Sequence, residues 1–264
     1  MKMSGCGNDF VLVDASKKRL TGDLAELARK ICARHTGVGA DGLFIIEPDK
    51  EVDFSVRMFN ADGSEPEMCG NASRCLARFA KMCGVAGEKA RFRTTAGIIE
   101  AEVRKDDVRI RMTPPRDVRA AVTLKLKGGT GEVAFVNTGV PHAVMFVEDV
   151  KTVDVVGLGR EIRHHEKFAP AGTNVDFVQV MGPKRLKMRT YERGVEDETL
   201  ACGTGAVAAG VLARLAGKVK GESVAVEVEG GVLTVTVEMS GEKPSGATLA
   251  GEARVVFRGV TEEL

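Results

Sequence analysis

The chain repeats itself, and this limits its fold more than any other feature of its 264 residues. R-M-F-N-A-D-G (Arg57 to Gly63) lines up with R-T-Y-E-R-G (Arg189 to Gly194), pairing Arg57 with Arg189 and Phe59 with Tyr191 at an offset of 132. C-G-N-A-S-R-C-L-A-R-F-A, opening at Cys69, matches C-G-T-G-A-V-A-A-G-V-L-A-R-L-A, opening at Cys202, at an offset of 133. T-T-A-G-I-I-E-A-E-V (Thr94 to Val103) matches V-E-G-G-V-L-T-V-T-V (Val228 to Val237), with Gly97 and Gly231 134 apart. Upstream, G-N-D-F-V-L-V at Gly7 echoes T-N-V-D-F-V-Q-V at Thr173. Self-similarity of this kind is the mark of a duplicated structural unit. Two domains of similar size are expected, residues 1–116 and 117–249, with the C-terminal strand in 250–264 returning to complete the first.

Each half alternates β-branched runs with one main helix. Phe10 to Asp14, Leu43 to Glu47, Ser55 to Asn60, Ile98 to Val103 and Val108 to Met112 read as strands. So do Ala134 to Asn137, Ala143 to Val147, Asp176 to Val180, Arg185 to Tyr191, the stretch Val224 to Glu238, and Arg254 to Phe257. Helical spacing covers Leu24 to His35, about Cys69 to Cys83, a short segment near Glu161, and about Cys202 to Gly217. The expected class is α/β (α+β), each half a curved, mostly antiparallel sheet around a central helix.

Both Cys69 and Cys202 stand where a helix begins. The positive end of a helix dipole favours a thiolate, and the first-turn N–H groups lack intrahelical partners. The N–H groups of Gly70, Asn71, Gly203 and Thr204 are therefore candidates to hold a carboxylate, with the Thr204 hydroxyl as a further donor. If the fold brings both helix starts together, two thiols flank one anion site, a geometry for taking a proton from one face of a carbon and returning one to the other. Asn8, Asn60 and Asn174 both donate and accept, which suits a zwitterion, and Arg193 can hold a second carboxylate bidentately. Cys32, Cys75 and Cys83 read as buried small hydrophobes and Cys6 as structural. His164 and His165, and the acidic run Glu196 to Glu198, read as solvated.

Composition narrows the rest. With 38 basic against 37 acidic residues and no basic run, nothing favours nucleic acid or an anionic membrane as partner. Apolar stretches are short and broken by charge, and the first ten residues lack the apolar core of a secretory signal, so a cytoplasmic location is expected. Six cysteines are too few for a disulfide scaffold. No C-x-x-C pair occurs, the spacing of Cys69, Cys75 and Cys83 suits zinc poorly, and no Rossmann or P-loop motif is present, so neither a metal nor a cofactor is expected.

G-N-D-F at Gly7, G-V-G-A-D-G at Gly37, F-N-A-D-G-S-E-P-E-M-C-G-N at Phe59, P-H at Pro141, G-T-N-V-D-F at Gly172 and Y-E-R-G…T-L-A-C-G-T-G at Tyr191 together resemble diaminopimelate epimerase. The resemblance implies two pseudo-symmetric domains with the active site in the cleft between them. It implies cofactor-independent interconversion of LL- and meso-diaminopimelate, in lysine and cell-wall precursor synthesis, on a small-molecule amino-acid substrate, and a homodimer. By the same resemblance Cys69 and Cys202 are the acid/base pair, supported by His142 and Glu192. Gly70, Asn71, Gly203 and Thr204 hold the reacting α-carboxylate. Asn8, Asn60, Asn174, Glu192 and Arg193 recognise the amino and carboxylate groups, Arg193 mainly at the distal centre. Val140 and Gly42 stand where many members have asparagine and glutamine. The alternative is a related racemase acting on another amino acid, such as histidine or a proline derivative; a monocarboxylate substrate would leave Arg193 without its main partner.

Overall fold

A computed structural model describes residues 1–66, 70–105 and 107–261. The chain divides into two compact units, Met1–Ile110 with Gly251–Leu264, and Arg111–Ala250. Among the described residues the fold is mixed α/β, with seventeen strands and four α-helices, and no helix is long and apolar enough to cross a membrane.

In the first unit β1 (Lys2–Gly5) and β2 (Asn8–Asp14) form an antiparallel pair. The chain then runs through α1 (Leu24–Cys32) to β3 (Gly42–Glu47), parallel to β2. β4 (Phe54–Asn60) turns back antiparallel to β3. After α2 (Gly70–Met82), β5 (Lys89–Thr94) lies parallel to β4, and β6 (Gly97–Arg104) and β7 (Asp107–Met112) follow antiparallel. Local chemistry accounts for the helices. Asp23 caps α1 by accepting from the Glu26 N–H, and the i, i+4, i+7 stripe Leu24, Ala28, Ile31 packs on Leu43, Ile45 and Phe59. β3 is buried along its whole length and carries the apolar run Leu43 to Ile46, as suits a strand covered on both faces.

In the second unit β8 (Arg116–Leu126), β9 (Gly129–Asn137) and β10 (Pro141–Phe146) pair antiparallel in turn. α3 (Val155–Arg163) leads to β11 (Asn174–Gly182), parallel to β10, and β12 (Arg185–Glu192) returns antiparallel. The short β13 (Asp197–Thr199) pairs with β12. After α4 (Gly203–Leu215), β14 (Ser223–Val228) lies parallel to β12, β15 (Gly231–Ser240) antiparallel to β14, and β16 (Lys243–Glu252) follows. The chain ends on β17 (Arg254–Phe257), antiparallel to β1.

β2 to β6 therefore pair in the same order and sense as β10, β11, β12, β14 and β15. Register aligns them residue by residue: Leu43 faces Phe59 and Val175 faces Tyr191, while Gly42 faces Phe10 and Asn174 faces His142. Asn174 thus corresponds to Gly42, and His142 to Phe10. The expected pairing of Asn8 with Asn174 is corrected, because Asn8 lies on the strand equivalent to β10. N-D-F and N-V-D-F resemble each other as polar strand entries and are not counterparts.

The second core gathers Phe135, Val155, Ile162, Phe168, Val175, Phe177 and Tyr191. Gly159 lets α3 lie directly on Tyr191, since a Cβ there would sit 2.5 Å from the Tyr191 Cβ. Phe177 has no exposed surface. Phe177→Ala should cost about 3–5 kcal/mol, read as a lowered denaturant midpoint with unchanged slope; a cost under about 1 kcal/mol would contradict this packing.

Candidate active site

In the second unit β10, β11 and β12 bring one polar cluster to the start of α4. Strand alternation sends Asn174 and Asp176 to the same side of β11, and register sets Asp176 opposite Thr190 on β12. His142 and Asp176 are fully buried, and Nδ1 of the imidazole lies 2.7 Å from Oδ2 of the carboxylate. Thr190 Oγ1 donates to Asp176 Oδ1 at 2.7 Å. On its other side the imidazole Nε2 meets Thr204 Oγ1 at 2.9 Å, and that oxygen is 3.4 Å from Cys202 Sγ. Cys202 is the N-cap of α4, and its Sγ makes no capping hydrogen bond. The first turn is anchored by Thr138 Oγ1, which donates to the Thr204 carbonyl at 3.0 Å.

The thiol's surroundings reverse a sequence expectation. The helix start was expected to favour a thiolate, yet burial first, then the Glu192 and Asp176 carboxylates, push Cys202 well above the usual thiol range. The Thr204 hydroxyl and the Gly205 N–H pull the other way and do not prevail. Desolvation of a charge in a nearly closed site outweighs the end of one helix. These surroundings favour the protonated thiol at Cys202.

Around it, Thr199 Oγ1 donates to Glu192 Oε2 at 2.9 Å. Burial raises Glu192 above the usual carboxylate range, against the Thr199 bond and His142, while Asp176 adds to the rise. The Asn174 amide is fixed at both ends: Nδ2 donates to the Pro141 carbonyl at 3.0 Å and Oδ1 accepts from the Arg193 N–H at 2.8 Å. The Arg193 guanidinium is partly exposed and donates to the Ala171 carbonyl at 3.4 Å. Gly203 and Thr204 occupy the first turn, where N–H groups have no carbonyl four residues back.

The first unit carries a second polar chain at the start of α2. Arg74, fully buried, donates from Nη2 to Asn71 Oδ1 at 2.8 Å. Asn71 Nδ2 donates to Asn8 Oδ1 at 2.7 Å, and Asn8 Nδ2 donates to Asp41 Oδ2 at 3.0 Å. A donor-only guanidinium at one end and an acceptor-only carboxylate at the other leave each amide a single orientation. Gly70 opens the same helix, its carbonyl accepting from Arg74 Nη1 at 3.4 Å. Asn60 ends β4 and is exposed, bonded to Ser64 Oγ at 2.9 Å. Cys69 lies outside the described residues. The positions equivalent to His142 and Asp176 hold Phe10 and Phe44, whose rings stand 4.8 Å apart. The ionisable pair beneath the helix start belongs to the second unit alone.

Several expectations change. Cys83 is exposed, not buried like Cys32 and Cys75. The run at Glu196 to Glu198 is not merely solvated. Glu198 takes a bidentate bond from Arg189, at 2.6 and 2.7 Å, and Glu196 accepts from Tyr191 and Arg163. Asp176, Thr190, Arg74 and Asp41 escaped sequence reading. A charged residue inside the otherwise apolar V-D-F-V was the signal for Asp176.

Comparison with known proteins follows the same lines. The profile of the family described as "Diaminopimelate epimerase" matches residues 1–118 and 134–256. The chain is 48% identical to the diaminopimelate epimerase of Aquifex aeolicus over 273 aligned residues, covering 99% of this chain and 97% of that one. It is 42% identical to that of Chlorobaculum tepidum, covering 97% and 98%. Among solved structures, a phenazine biosynthesis protein of the PhzF family from Bacillus anthracis superposes with a TM-score of 0.72 at 17% identity, over 96% and 95% of the two chains. A probable proline racemase from Agrobacterium radiobacter K84, with bound carbonate, gives 0.70 at 16%, over 100% and 92%. These last two likenesses concern the fold.

Proposed function

The chain belongs to the diaminopimelate epimerase family, and we propose that it interconverts LL- and meso-2,6-diaminopimelate without a cofactor, by proton transfer between substrate and two thiols. Cys69 and Cys202 take the two faces of the α-carbon, one as thiolate base and the other as thiol acid, exchanging roles in the reverse direction. The observation that carries this reading is the buried Cys202 thiol at the N-terminus of α4, hydrogen-bonded through Thr204 to His142.

Removing the α-proton places negative charge on the adjacent carboxylate. In this reading the first-turn N–H groups of Gly203 and Thr204 in α4, and of Gly70 and Asn71 in α2, hold that charge as it develops. Asn8, Asn60, Asn174 and Glu192 recognise the amino and carboxylate groups, and Arg193 takes the distal carboxylate, its guanidinium being held, among the described residues, by one long contact. Glu192 supports the chemistry through the field of its carboxylate at Cys202, and His142 through its hydrogen bond to Thr204. We read the matched strand order of the two units as an ancient duplication. Thiol acid/base chemistry needs a reducing compartment, which supports a cytoplasmic location. A homodimer belongs to the same reading, and sedimentation velocity tests it.

The test is an epimerisation assay on LL-diaminopimelate beside a panel of single-carboxylate amino acids, without added pyridoxal phosphate. Turnover of diaminopimelate is expected at least about a hundredfold above any monocarboxylate, because a buried or clamped charge partner left empty is heavily penalised. Faster turnover of proline, hydroxyproline or histidine would move the assignment to a sister activity.

A further inference from the structure

We propose that Thr204 and His142 form a proton relay from Cys202, with Asp176 as the positioning residue that sets its direction. The inference rests on the reading of Cys202 as an acid/base group and says how that thiol is switched between its two forms. Asp176 has no proton to offer in its contact with Thr190, whose hydroxyl already donates to Oδ1. Its Oδ2 therefore takes the proton of His142 Nδ1, at 2.7 Å, and leaves Nε2 as an acceptor. The hydroxyl that meets Nε2 at 2.9 Å is then the donor in that bond. With its only proton committed, Thr204 Oγ1 offers Cys202 a lone pair, and the contact at 3.4 Å is Sγ–H donating to oxygen. All donors point from sulfur toward the imidazole.

One concerted shift along this line converts thiol to thiolate. The S–H bond breaks as a bond forms from that hydrogen to Thr204 Oγ1. The hydroxyl's original hydrogen passes to His142 Nε2. Thr204 ends as a neutral hydroxyl, now donating to the thiolate, and the imidazolium is left between Asp176 and Thr204. No oxidant or further reactant is needed. The reverse shift reloads the thiol after it has given its proton to substrate. The charged groups acting on Cys202 are Glu192 from β12 and Asp176 from β11; His142 on β10 reaches it through Thr204, and the first turn of α4 carries no acid. Both carboxylates oppose a lone thiolate, so an imidazolium beside it is the change that makes the thiolate tolerable.

The test is the rate of iodoacetamide alkylation of Cys202 in the substrate-free protein from pH 6 to pH 10, followed by mass spectrometry of the peptide that contains it. Wild type is expected to show two steps, a neutral-pH shoulder from the thiolate–imidazolium pair and a second rise at higher pH. Thr204→Val should lose the shoulder and react about tenfold more slowly at pH 7.5, the loss of a hydrogen bond to a charged group. Thr204→Ser should keep it, His142→Gln should lose it, and Asp176→Asn should lower it. A single step in wild type, or a shoulder that survives Thr204→Val or His142→Gln, would overturn the relay; a plain structural contact would only displace one step along the pH axis. Should Thr204→Val fail to fold, Asp176→Asn with an unchanged shoulder overturns the proposal by itself. Because no substrate is present, the relay can fail with epimerase activity intact, or stand if the activity assignment fails.

Discussion

Cys202→Ala should lower turnover by at least about 10³-fold in both directions, the scale on which a positioned acid/base group acts, while its melting temperature stays within a few degrees of wild type. The second half of that expectation follows from packing. Cys202 is buried and small, its side chain accepts no capping bond, and its polar partners are the Thr204 hydroxyl at 3.4 Å and the Gly205 N–H. Alanine removes one sulfur atom and no charge, at a cost of about 1 kcal/mol. The Asp176–His142–Thr204 line stays satisfied, because the Thr204 hydroxyl still donates to Nε2. A variant that is folded and inert separates chemistry from architecture. One that keeps even a tenth of wild-type turnover would show that this thiol does not carry a proton in the reaction.

Gly205→Ala should damage both at once. The first turn of α4 runs so close to β11 that a Cβ on Gly205 would lie 2.4 Å from Asp176 Oδ1 and 3.1 Å from its Cγ. The carboxylate is pinned by Thr190 and His142 at 2.7 Å each, and the helix start by the Thr138 bond to the Thr204 carbonyl. One side must give. If Asp176 swings away, Thr190 and His142 lose a buried acceptor; if the helix retreats, Thr204 leaves the imidazole and Cys202 moves with it. Overpacking combined with unsatisfied buried groups costs about 3 kcal/mol, and a shift of the thiol by a fraction of an ångström should lower turnover by about a hundredfold. The check is a thermal melt beside a turnover assay. A wild-type melt with wild-type kinetics would mean that α4 and β11 are not in this contact.

What could be read in the sequence follows from where the physics is local. The main helices were found within a few residues, because each has a periodic apolar face or a marked end: the helix expected over about Cys69 to Cys83 runs Gly70–Met82, and that expected over about Cys202 to Gly217 runs Gly203–Leu215. Val224 to Glu238, read as one stretch, is two strands broken after Val228. β8 escaped because its first six residues are exposed and only the short stretch Val122 to Leu126 alternates. β16 escaped because K-P-S-G-A-T-L-A-G-E holds two glycines and a proline, and its strand character comes from neighbours rather than propensity. The site was legible where a loop or helix start concentrates unusual residues, as at Cys202, Thr204, Asn174 and Arg193. It was illegible where a residue acts from inside a strand or helix. Asp176 looks like one more charge, and Arg74 like a surface cation on α2, until register and burial reveal what each faces. The repeat told the number of units and misled on one pairing, because Asn8 and Asn174 share a motif without sharing a place in the strand order.

The account stands on two separate proton carriers, and isotope placement tests that most directly. LL-diaminopimelate turned over in D₂O should, at early times, give meso product carrying one solvent deuterium at the inverted carbon while recovered substrate stays unlabelled. The proton removed on one face and the deuteron delivered on the other then come from different groups. If the product keeps the substrate's own hydrogen, or if substrate and product gain deuterium together from the first turnovers, a single base serves both faces and the pairing of Cys69 with Cys202 is wrong.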